Sequence, residues 1–386
     1  MTPLLTRALR VTARLPRLST PRLTPSHLPA LTHLYSSAAA AAAPLQNEPL
    51  TRPRPEAVVE TELTHLKSQI LLLLSSGYPG LDATSKYYLQ SNGKLFRPMV
   101  IFLMSRACAY APKTPTWATT ARALEQTFNK PISPPSIIHD LNPDLALLSS
   151  RAMPATIEEH GMPAVLGTQR RLAEIVELIH TASLLHDDVI DHAETRRGQP
   201  SANVFSGNKL SILAGDFMLG RASVYLARLR QPDVIELIAE VISELVKGEL
   251  FQLRNTSVAH TDPNYLQKSL EYYLEKTYLK SASLISKSCR AAAILGGATE
   301  EVANAAFVYG KHMGLAFQLI DDVLDYTQSA ETIGKPAGQD LELGLATAPV
   351  FYAWEEFGEL GLMIERGFAQ QGDAVKVGSN VWGRQV

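Results

Sequence analysis

The sequence predicts an all-α protein. From about residue 56 onward, apolar residues recur at the three- and four-residue intervals of a helix through most of the chain. The segment 233–253 has the broad apolar stripe of a helix packed in a core. There is no series of alternating strands and no G-x-G-x-x-G fingerprint, which disfavours a Rossmann-type domain. A hydrophobic content of 46% over 386 residues is sufficient for a large core.

The first two helices are predicted from apolar spacing and turn residues. The first begins near Glu56 and ends before the sequence GYPG at 77–80. Its apolar face comprises Val59, Leu63, Leu66, Ile70 and Leu73. The second begins near Arg97 and Pro98, because proline is favoured in the first turn of a helix.

A proline-rich segment, 111–167, interrupts this pattern. Its prolines are Pro112, Pro115, Pro131, Pro134, Pro135, Pro143, Pro154 and Pro163. Because proline at this density cannot continue a helix bundle, we expect a mobile surface insertion outside the site. After Gln169 the helical pattern resumes.

The N-terminal residues 1–47 have the composition of a mitochondrial transit peptide. They are rich in Ser and Thr, and no acidic residue occurs before Glu48. Their arginines are Arg7, Arg10, Arg14, Arg17 and Arg22. Transit peptides are Arg-rich and acidic-poor, although the prolines here weaken an amphipathic helix, and a disordered basic tail is the alternative.

Composition excludes several functions. A formal net charge of −2 argues against general nucleic-acid binding. The two cysteines, Cys108 and Cys289, have no zinc or disulfide spacing, which indicates a reducing compartment. No run approaches the roughly 18 apolar residues of a membrane span, so we expect a soluble or at most peripheral protein.

Two aspartate motifs of the form D-D-x-x-D are the main candidates for chemistry. The first has Asp187, Asp188 and Asp191, and the second, 134 residues later, has Asp321, Asp322 and Asp325. The first and last aspartates of each motif lie one helical turn apart, where like charges repel unless a cation lies between them. A single motif is as well explained by a solvated helix end. Two copies in apolar helices favour Mg²⁺ shared with a substrate diphosphate.

Basic residues accompany both motifs. Arg196 and Arg197 follow the first, Lys335 follows the second, and Lys94 and Arg97 lie in NGKLFRP. Arg presents a planar fork to phosphate oxygens and Lys a compact charge. Singly each is better explained as a solvated surface charge, but together they predict diphosphate binding.

In combination these motifs resemble those of the trans-isoprenyl diphosphate synthases. The motifs are GKLFRP, ELIHTASLLHDDVIDHAETRRGQPSAN, LAGDFMLGRA, KSASLI, FQLIDDVLD and IGKPAGQDLELGLATAPV. The resemblance runs from about Glu60 to Lys376, interrupted by the proline-rich segment, and is strongest to mitochondrial long-chain polyprenyl synthases of the hexaprenyl type in ubiquinone biosynthesis.

The resemblance implies a single helical bundle of the isoprenoid synthase type, residues 48–376, with a central cavity between two Asp-rich helices. It implies Mg²⁺-assisted ionisation of an allylic diphosphate, farnesyl or geranylgeranyl, followed by 1'-4 condensation with isopentenyl diphosphate. A mitochondrial matrix location is expected, at most peripheral on the inner membrane, with a homodimer favoured over a hetero-oligomer.

Roles follow from the resemblance position by position. The six motif aspartates would be catalytic, with Asp187, Asp191 and Asp321 as metal ligands. The isopentenyl diphosphate site would comprise Lys94, Arg97, His180 and Arg197. The allylic diphosphate site would comprise Arg196, Lys280, Ser281, Gln318 and Lys335, with Ser281 where the family usually has Thr. Without the motif, His180 would be interpreted as a core histidine.

Product length is predicted from helix geometry. A tail growing from Asp187 toward the start of its helix meets the side chain five residues earlier after about 7.5 Å. That residue is Ala182, beside Ser183, and both are small. We therefore expect a long product.

The C-terminus departs from the family. Residues 377–386 have the sequence VGSNVWGRQV and show no helical periodicity. We therefore expect the family's closing helices to be absent. This departure keeps open a silent or truncated subunit of a hetero-oligomeric synthase. A terpene cyclase is disfavoured, because it would not require basic residues for a second diphosphate.

Overall fold

The structure, a computed structural model, describes residues 54–90, 93, 95–140, 142–144, 158–159, 162–163, 165–254, 264–327, 339–342 and 344–382. The first four helices are α1 Pro55–Val58, α2 Glu60–Leu73, α3 Pro79–Gln90 and α4 Phe96–Ala109. Helix α2 ends before Gly77, and α4 begins with Pro98 in its first turn, as the sequence predicts. The predicted all-α fold is confirmed.

The described part of the proline-rich segment contains structure that proline spacing did not predict. Helix α5, Trp117–Thr127, lies in the proline-free stretch between Pro115 and Pro131, and α6, Pro135–Ile138, follows. Strands β1, Glu158–Glu159, and β2, Met162–Pro163, form an antiparallel pair.

The described part of this segment is attached to the bundle by buried charge. Asp140 accepts hydrogen bonds from Arg221 (2.6 Å) and Arg228 (3.2 Å). Burial opposes ionisation of Asp140, but the hydrogen bond and charge of Arg221 outweigh it and lower the carboxyl pKa. Asn142 donates to the Leu72 carbonyl (2.8 Å), so these residues are fixed against the helices rather than extended into solvent.

The next elements present the first aspartate motif. They are α7 Gly167–Ile190, strands β3 Thr195–Arg196 and β4 Gln199–Pro200, α8 Ala202–Ser206 and α9 Asn208–Arg228. The α7 N-terminus is capped by Glu125 of α5, which accepts from the Gly167 and Thr168 amides at 2.9 Å. Strands β3 and β4 form an antiparallel hairpin whose central residues Arg197 (φ 53°) and Gly198 (φ 72°) both have the positive φ of a type I′ turn.

The second motif lies in a group of long helices. These are α10 Pro232–Arg254, α11 Tyr265–Thr277, a π-helix Tyr278–Ala282, α12 Ser283–Leu295 and α13 Glu300–Thr327. Helix α13 approaches the π-helix and α12 closely through small residues. A Cβ on Gly314 would lie 2.6 Å from the Ala282 Cα, and one on Gly310 would lie 2.7 Å from the Ser286 Cα.

The remaining helices are α14 Gln339–Glu342, α15 Ala348–Glu356, α16 Leu360–Glu365 and α17 Asp373–Trp382. The sequence predicts no helix after residue 376, whereas α17 extends to Trp382. The reason is packing, because Val377 is fully buried and Val381, one turn later, also contacts the apolar cluster around Trp354. A separate and larger core surrounds α7, including Leu172 and Leu185.

Helix α9 also has the length and mean hydropathy of a membrane span. One face of α9, however, is packed in the core through Ala214, Met218 and Ala222. The same combination is common in core helices of water-soluble proteins, so we assign α9 to the bundle.

Candidate active site

The first aspartate motif lies at the C-terminal end of α7. Asp187 and Asp188 occupy its last turn, and Asp191 follows the helix, its amide donating to the Asp187 carbonyl at 2.8 Å. Asp188 is fully buried, while Asp187 is half-buried and Asp191 is exposed. The first and last carboxylates therefore reach the surface of the site, and the middle one does not.

The electrostatics of this wall leave room for a cation. Burial and the neighbouring carboxylate of Glu249 raise the pKa of Asp187 to about 7, although Lys280 opposes this. Burial also raises the pKa of Asp191. An all-carboxylate donor set with uncompensated charge suits a hard cation such as Mg²⁺. In the described part of the chain, no cluster of three or more metal-ligating side chains forms.

The second motif lies near the end of α13. Asp322 is buried and accepts hydrogen bonds from Gln318 (2.9 Å) and the Tyr273 hydroxyl (2.5 Å). Asp321 is exposed, and Asp325 accepts the amide of Asp340 at 3.3 Å. The second motif thus repeats the arrangement of the first.

The π-helix supplies two predicted residues, Lys280 and Ser281. A π-helix is rare and, where it occurs, is frequently at a functional site. The Ser281 hydroxyl donates to Gln318 Oε1 at 2.9 Å, which brings these two predicted residues together. Gln318 in turn donates to Asp322, so the π-helix and the second motif share one hydrogen-bond chain.

Three polar residues that the sequence did not identify surround Lys280. Lys280 forms an ion pair with Glu249 and donates to Gln252 Oε1 at 2.8 Å, both on α10. Lys276 is half-buried near Asp322, and this partial burial lowers the pKa of the ammonium group. The sequence gives no distinct signal for Glu249 and Gln252, because α10 is amphipathic and also has Glu236, Glu240, Glu244 and Lys247 on it.

A second basic group lies beside α7, two turns before the first aspartate motif. Arg97 Nη1 donates to His180 Nε2 at 2.9 Å, since a guanidinium has no acceptor. Burial, together with the charge of Arg97, holds the pKa of His180 well below its usual value, so His180 is a neutral acceptor here. The buried Nε of Arg97 has no hydrogen-bond partner, so this guanidinium retains donor capacity for a further acceptor.

The hairpin arginines have different environments. Arg196 forms an ion pair with Asp188, in which the Arg196 Nε and Nη2 atoms lie 2.7 and 2.6 Å from Asp188 Oδ1. The Arg197 guanidinium lies against Gly93, where a Cβ would be 2.7 Å from its Nη1. This contact places Arg197 beside the segment that contains Lys94. Lys94 and Lys335 themselves lie outside the described residues.

The two residues predicted to set product length also differ. Ala182 is completely buried in the main core, whereas Ser183 is half-buried and donates to the His180 carbonyl at 2.8 Å. Ser183 is thus the one with room beside it.

Comparison with known proteins decides the family. Residues 141–379 match the model for polyprenyl synthetases. The chain belongs to the polyprenyl synthetase family. It is 54% identical over 325 residues to a probable mitochondrial hexaprenyl pyrophosphate synthase of Neurospora crassa, covering 83% of this chain and 70% of that protein. It is 46% identical over 327 residues to decaprenyl-diphosphate synthase subunit 1 of Schizosaccharomyces pombe, covering 84% and 78% respectively.

A solved structure shares the fold. The polyprenyl synthase from Caulobacter crescentus, complexed with calcium and isoprenyl diphosphate, superposes with a TM-score of 0.63 at 25% identity, covering 85% of this chain and 83% of that one. The chain is a trans-prenyltransferase of the long-chain polyprenyl diphosphate synthase class. Its homologues of this class belong to the coenzyme Q pathway. Like the Neurospora crassa relative, it is mitochondrial.

Proposed function

We propose that this polyprenyl synthetase binds Mg²⁺ through Asp187, Asp191 and Asp321 and elongates an allylic diphosphate by successive additions of isopentenyl diphosphate. The observation that supports this most is the position of Lys280. Its charge acts on both Asp187 and Asp191 and on Lys276, which itself faces Asp322, so Lys280 links the two motifs electrostatically. A diphosphate bound between the motifs would be held by cations that neutralise the repulsion between its charge and the motif carboxylates. The calcium and isoprenyl diphosphate of the Caulobacter relative support the same chemistry.

The residues around Lys280 would form the allylic site. On substrate binding, Lys280 would exchange the Glu249 carboxylate and the Gln252 amide oxygen for a phosphate oxygen. Ser281 and Gln318 orient this end of the π-helix. Arg196 adds positive charge next to the first motif, and we assign Lys335 to the same group from its motif alone.

Isopentenyl diphosphate would bind at Arg97, His180 and Arg197, with Lys94 from the adjoining segment. Burial lowers the pKa of Arg97, and the charge of Arg197 lowers it further. The charges of both arginines also lower the pKa of His180, so the three side chains lie close together. Two guanidinium groups beside a neutral imidazole make a site for a diphosphate. This second basic site is what favours a condensing enzyme over a terpene cyclase.

The chain's own residues would act mainly by charge and by excluding water. When bound, Mg²⁺ would draw charge from the departing diphosphate. Lys280 stabilises the same developing charge, and two unit charges 4 Å apart at an effective dielectric near 20 interact by about 4 kcal/mol. The apolar residues Leu184 and Leu185 before the motif exclude water from the allylic cation until the isopentenyl double bond attacks it. The proton released from the adduct is taken up by the departing pyrophosphate.

Assembly as a homodimer is supported by exposed apolar residues on neighbouring helices. Ile212 and Leu213 on α9 are 42% and 59% exposed, and Val246 and Leu250 on α10 are 59% and 51% exposed. Such clusters favour a protein interface. The 46% identity to a relative described as subunit 1 supports a hetero-oligomer as the second candidate. Peripheral contact with the inner membrane is a third use of these exposed apolar residues.

We also propose that residues 1–47 are the cleaved transit peptide and that 48–376 form the catalytic domain.

The test is an elongation assay on the purified mature chain. The chain is incubated with Mg²⁺, labelled isopentenyl diphosphate and farnesyl or geranylgeranyl diphosphate, and the products are separated by chromatography. We expect long all-trans products. Absence of elongation by the chain alone, with activity on adding a second subunit, would instead establish the hetero-oligomer. Activity restored only by a longer C-terminus would establish truncation.

We expect Gly93→Ala to raise the KM for isopentenyl diphosphate about tenfold, because loss of one charge-assisted contact is worth roughly 1.4 kcal/mol or more. The new Cβ would displace the Arg197 guanidinium, whose flexible end can move without unfolding the protein. The KM for the allylic substrate should stay unchanged. The matched control is Gly220→Ala, where a Cβ meets nothing within 4 Å. An unchanged KM for isopentenyl diphosphate in Gly93→Ala would remove Arg197 from this site.

A further inference from the structure

The middle aspartates of the two motifs share an environment. Asp188 and Asp322 are both buried, and each accepts a hydrogen bond from a buried tyrosine on another helix. Tyr88 of α3 donates to Asp188, and Tyr273 of α11 donates to Asp322. These tyrosines lie 100 and 49 residues from their partners along the chain, so the sequence motifs do not include them. The same solution thus occurs at two separate places in the fold.

Tyr88 connects four elements. While its hydroxyl donates to one oxygen of Asp188, it accepts the amide of Ala202 at 2.7 Å, at the start of α8. The other oxygen of Asp188 binds Arg196 of the hairpin. Tyr88 is 5% exposed, and its burial holds the pKa of the phenol above its usual value, so the group remains a donor.

Tyr273 has the equivalent position at the second motif. Its hydroxyl binds one oxygen of Asp322, and Gln318 binds the other. Gln318 is in turn held by Ser281 of the π-helix. Tyr273 therefore joins α11, the π-helix and α13, and it is 3% exposed.

Helix geometry explains what this does for the site. Consecutive residues are 100° apart around a helix, so the first aspartate lies about 100° and the last about 60° from the middle one, and fixing the middle aspartate inward sets the direction of both. A carboxylate about 6 Å from the helix axis moves about 1 Å for a rotation of 10°. An error of that size is enough to disrupt metal and substrate geometry.

We propose that Tyr88 and Tyr273 are positioning residues, each holding the middle aspartate of its motif and so fixing the orientation of the two outer aspartates toward Mg²⁺ and diphosphate. They touch neither the metal nor the substrate. The proposal rests on the proposed Mg²⁺ site, and it assigns the two tyrosines the support role that outer residues have around metal ligands.

The test compares Tyr88→Phe, Tyr273→Phe and the control Tyr225→Phe. Tyr225 is also a buried tyrosine, but its hydroxyl binds Arg221 at 3.0 Å, away from both motifs. The apparent Kd of Mg²⁺ is measured from the rise in Tm on titration in the presence of a non-reactive allylic thiodiphosphate. We expect that Kd to rise at least about tenfold in the first two variants and to stay unchanged in the control. In the same two variants kcat should fall about tenfold or more, with the KM for isopentenyl diphosphate unchanged.

A double-mutant cycle keeps the test decisive if the single variants are less stable. Tyr88→Phe is repeated in an Asp188→Ala background, which removes the acceptor, and its effect on the Mg²⁺ Kd should largely disappear, because the two side chains act as one unit. Equal Mg²⁺ affinities in all three single variants, with only Tm lowered, would overturn the proposal. A wild-type chain that binds Mg²⁺ and the analogue but elongates nothing would instead refute the proposed function, leaving the tyrosine result interpretable.

Discussion

Replacing Asp187 by asparagine is expected to lower kcat by about 1000-fold, since several kcal/mol of charge stabilisation is lost and about 1.4 kcal/mol corresponds to a factor of ten. The amide keeps the shape of the carboxyl group but removes the negative charge and one ligand oxygen. Asp187 is half-buried at the end of α7, so its substitution changes the site with little effect on the core. The measurement is single-turnover elongation together with the Mg²⁺ concentration that gives half-maximal rate.

A matched control is Asp233→Asn. Asp233 is an exposed aspartate in the first turn of α10, with no position in either motif. The Asp233→Asn enzyme should retain full activity and the wild-type Mg²⁺ requirement. If Asp187→Asn behaved like Asp233→Asn, the first motif would not hold the metal.

The second large effect is expected on product length. Ser183→Phe should convert a long-chain product into a short-chain one while leaving the first condensation largely unaffected. An aromatic ring four residues before Asp187 lies about 6 Å along the helix and would obstruct a growing tail. Ala182→Phe should shorten the product as well, but Ala182 is completely buried, and overpacking a core commonly costs about 1–3 kcal/mol. Chromatography of labelled products gives the chain-length distribution for both.

Ser68→Phe is the control for the added ring. Like Ser183, Ser68 is a half-buried helical serine whose hydroxyl binds the carbonyl three residues earlier, at 2.8 Å. It lies on α2, outside the predicted tail path. A long product from an active Ser183→Phe enzyme would show that the tail does not pass this position.

Much of the site could be predicted because its chemistry is encoded locally. Asp187 and Asp191 are separated by one turn of a strongly periodic helix, so their common orientation follows from spacing alone. The same holds for α13 and the second motif. The family resemblance added His180, whose environment beside Arg97 could not be distinguished from that of an ordinary core histidine by its sequence alone.

The remainder depended on contacts between distant segments. Glu249 approaches Lys280, and Lys276 approaches Asp322, only after folding. No spacing rule in the sequence links the two residues of either pair. The π-helix at 278–282 has no compositional signature, because it differs from an α-helix only in hydrogen-bond register. Helix α17 was not predicted because the chain was divided at residue 376, whereas Val377 and Val381 keep helical spacing beyond that boundary and pack on the cluster around Trp354.

The glycine contacts between α12 and α13 have a consequence for how the enzyme can move. With Gly310 and Gly314 bringing the two backbones together, the π-helix and the second aspartate motif are tied into one rigid body. A larger residue at either glycine would force the two backbones apart and would shift Lys280 and Ser281 of the π-helix relative to the second aspartate motif.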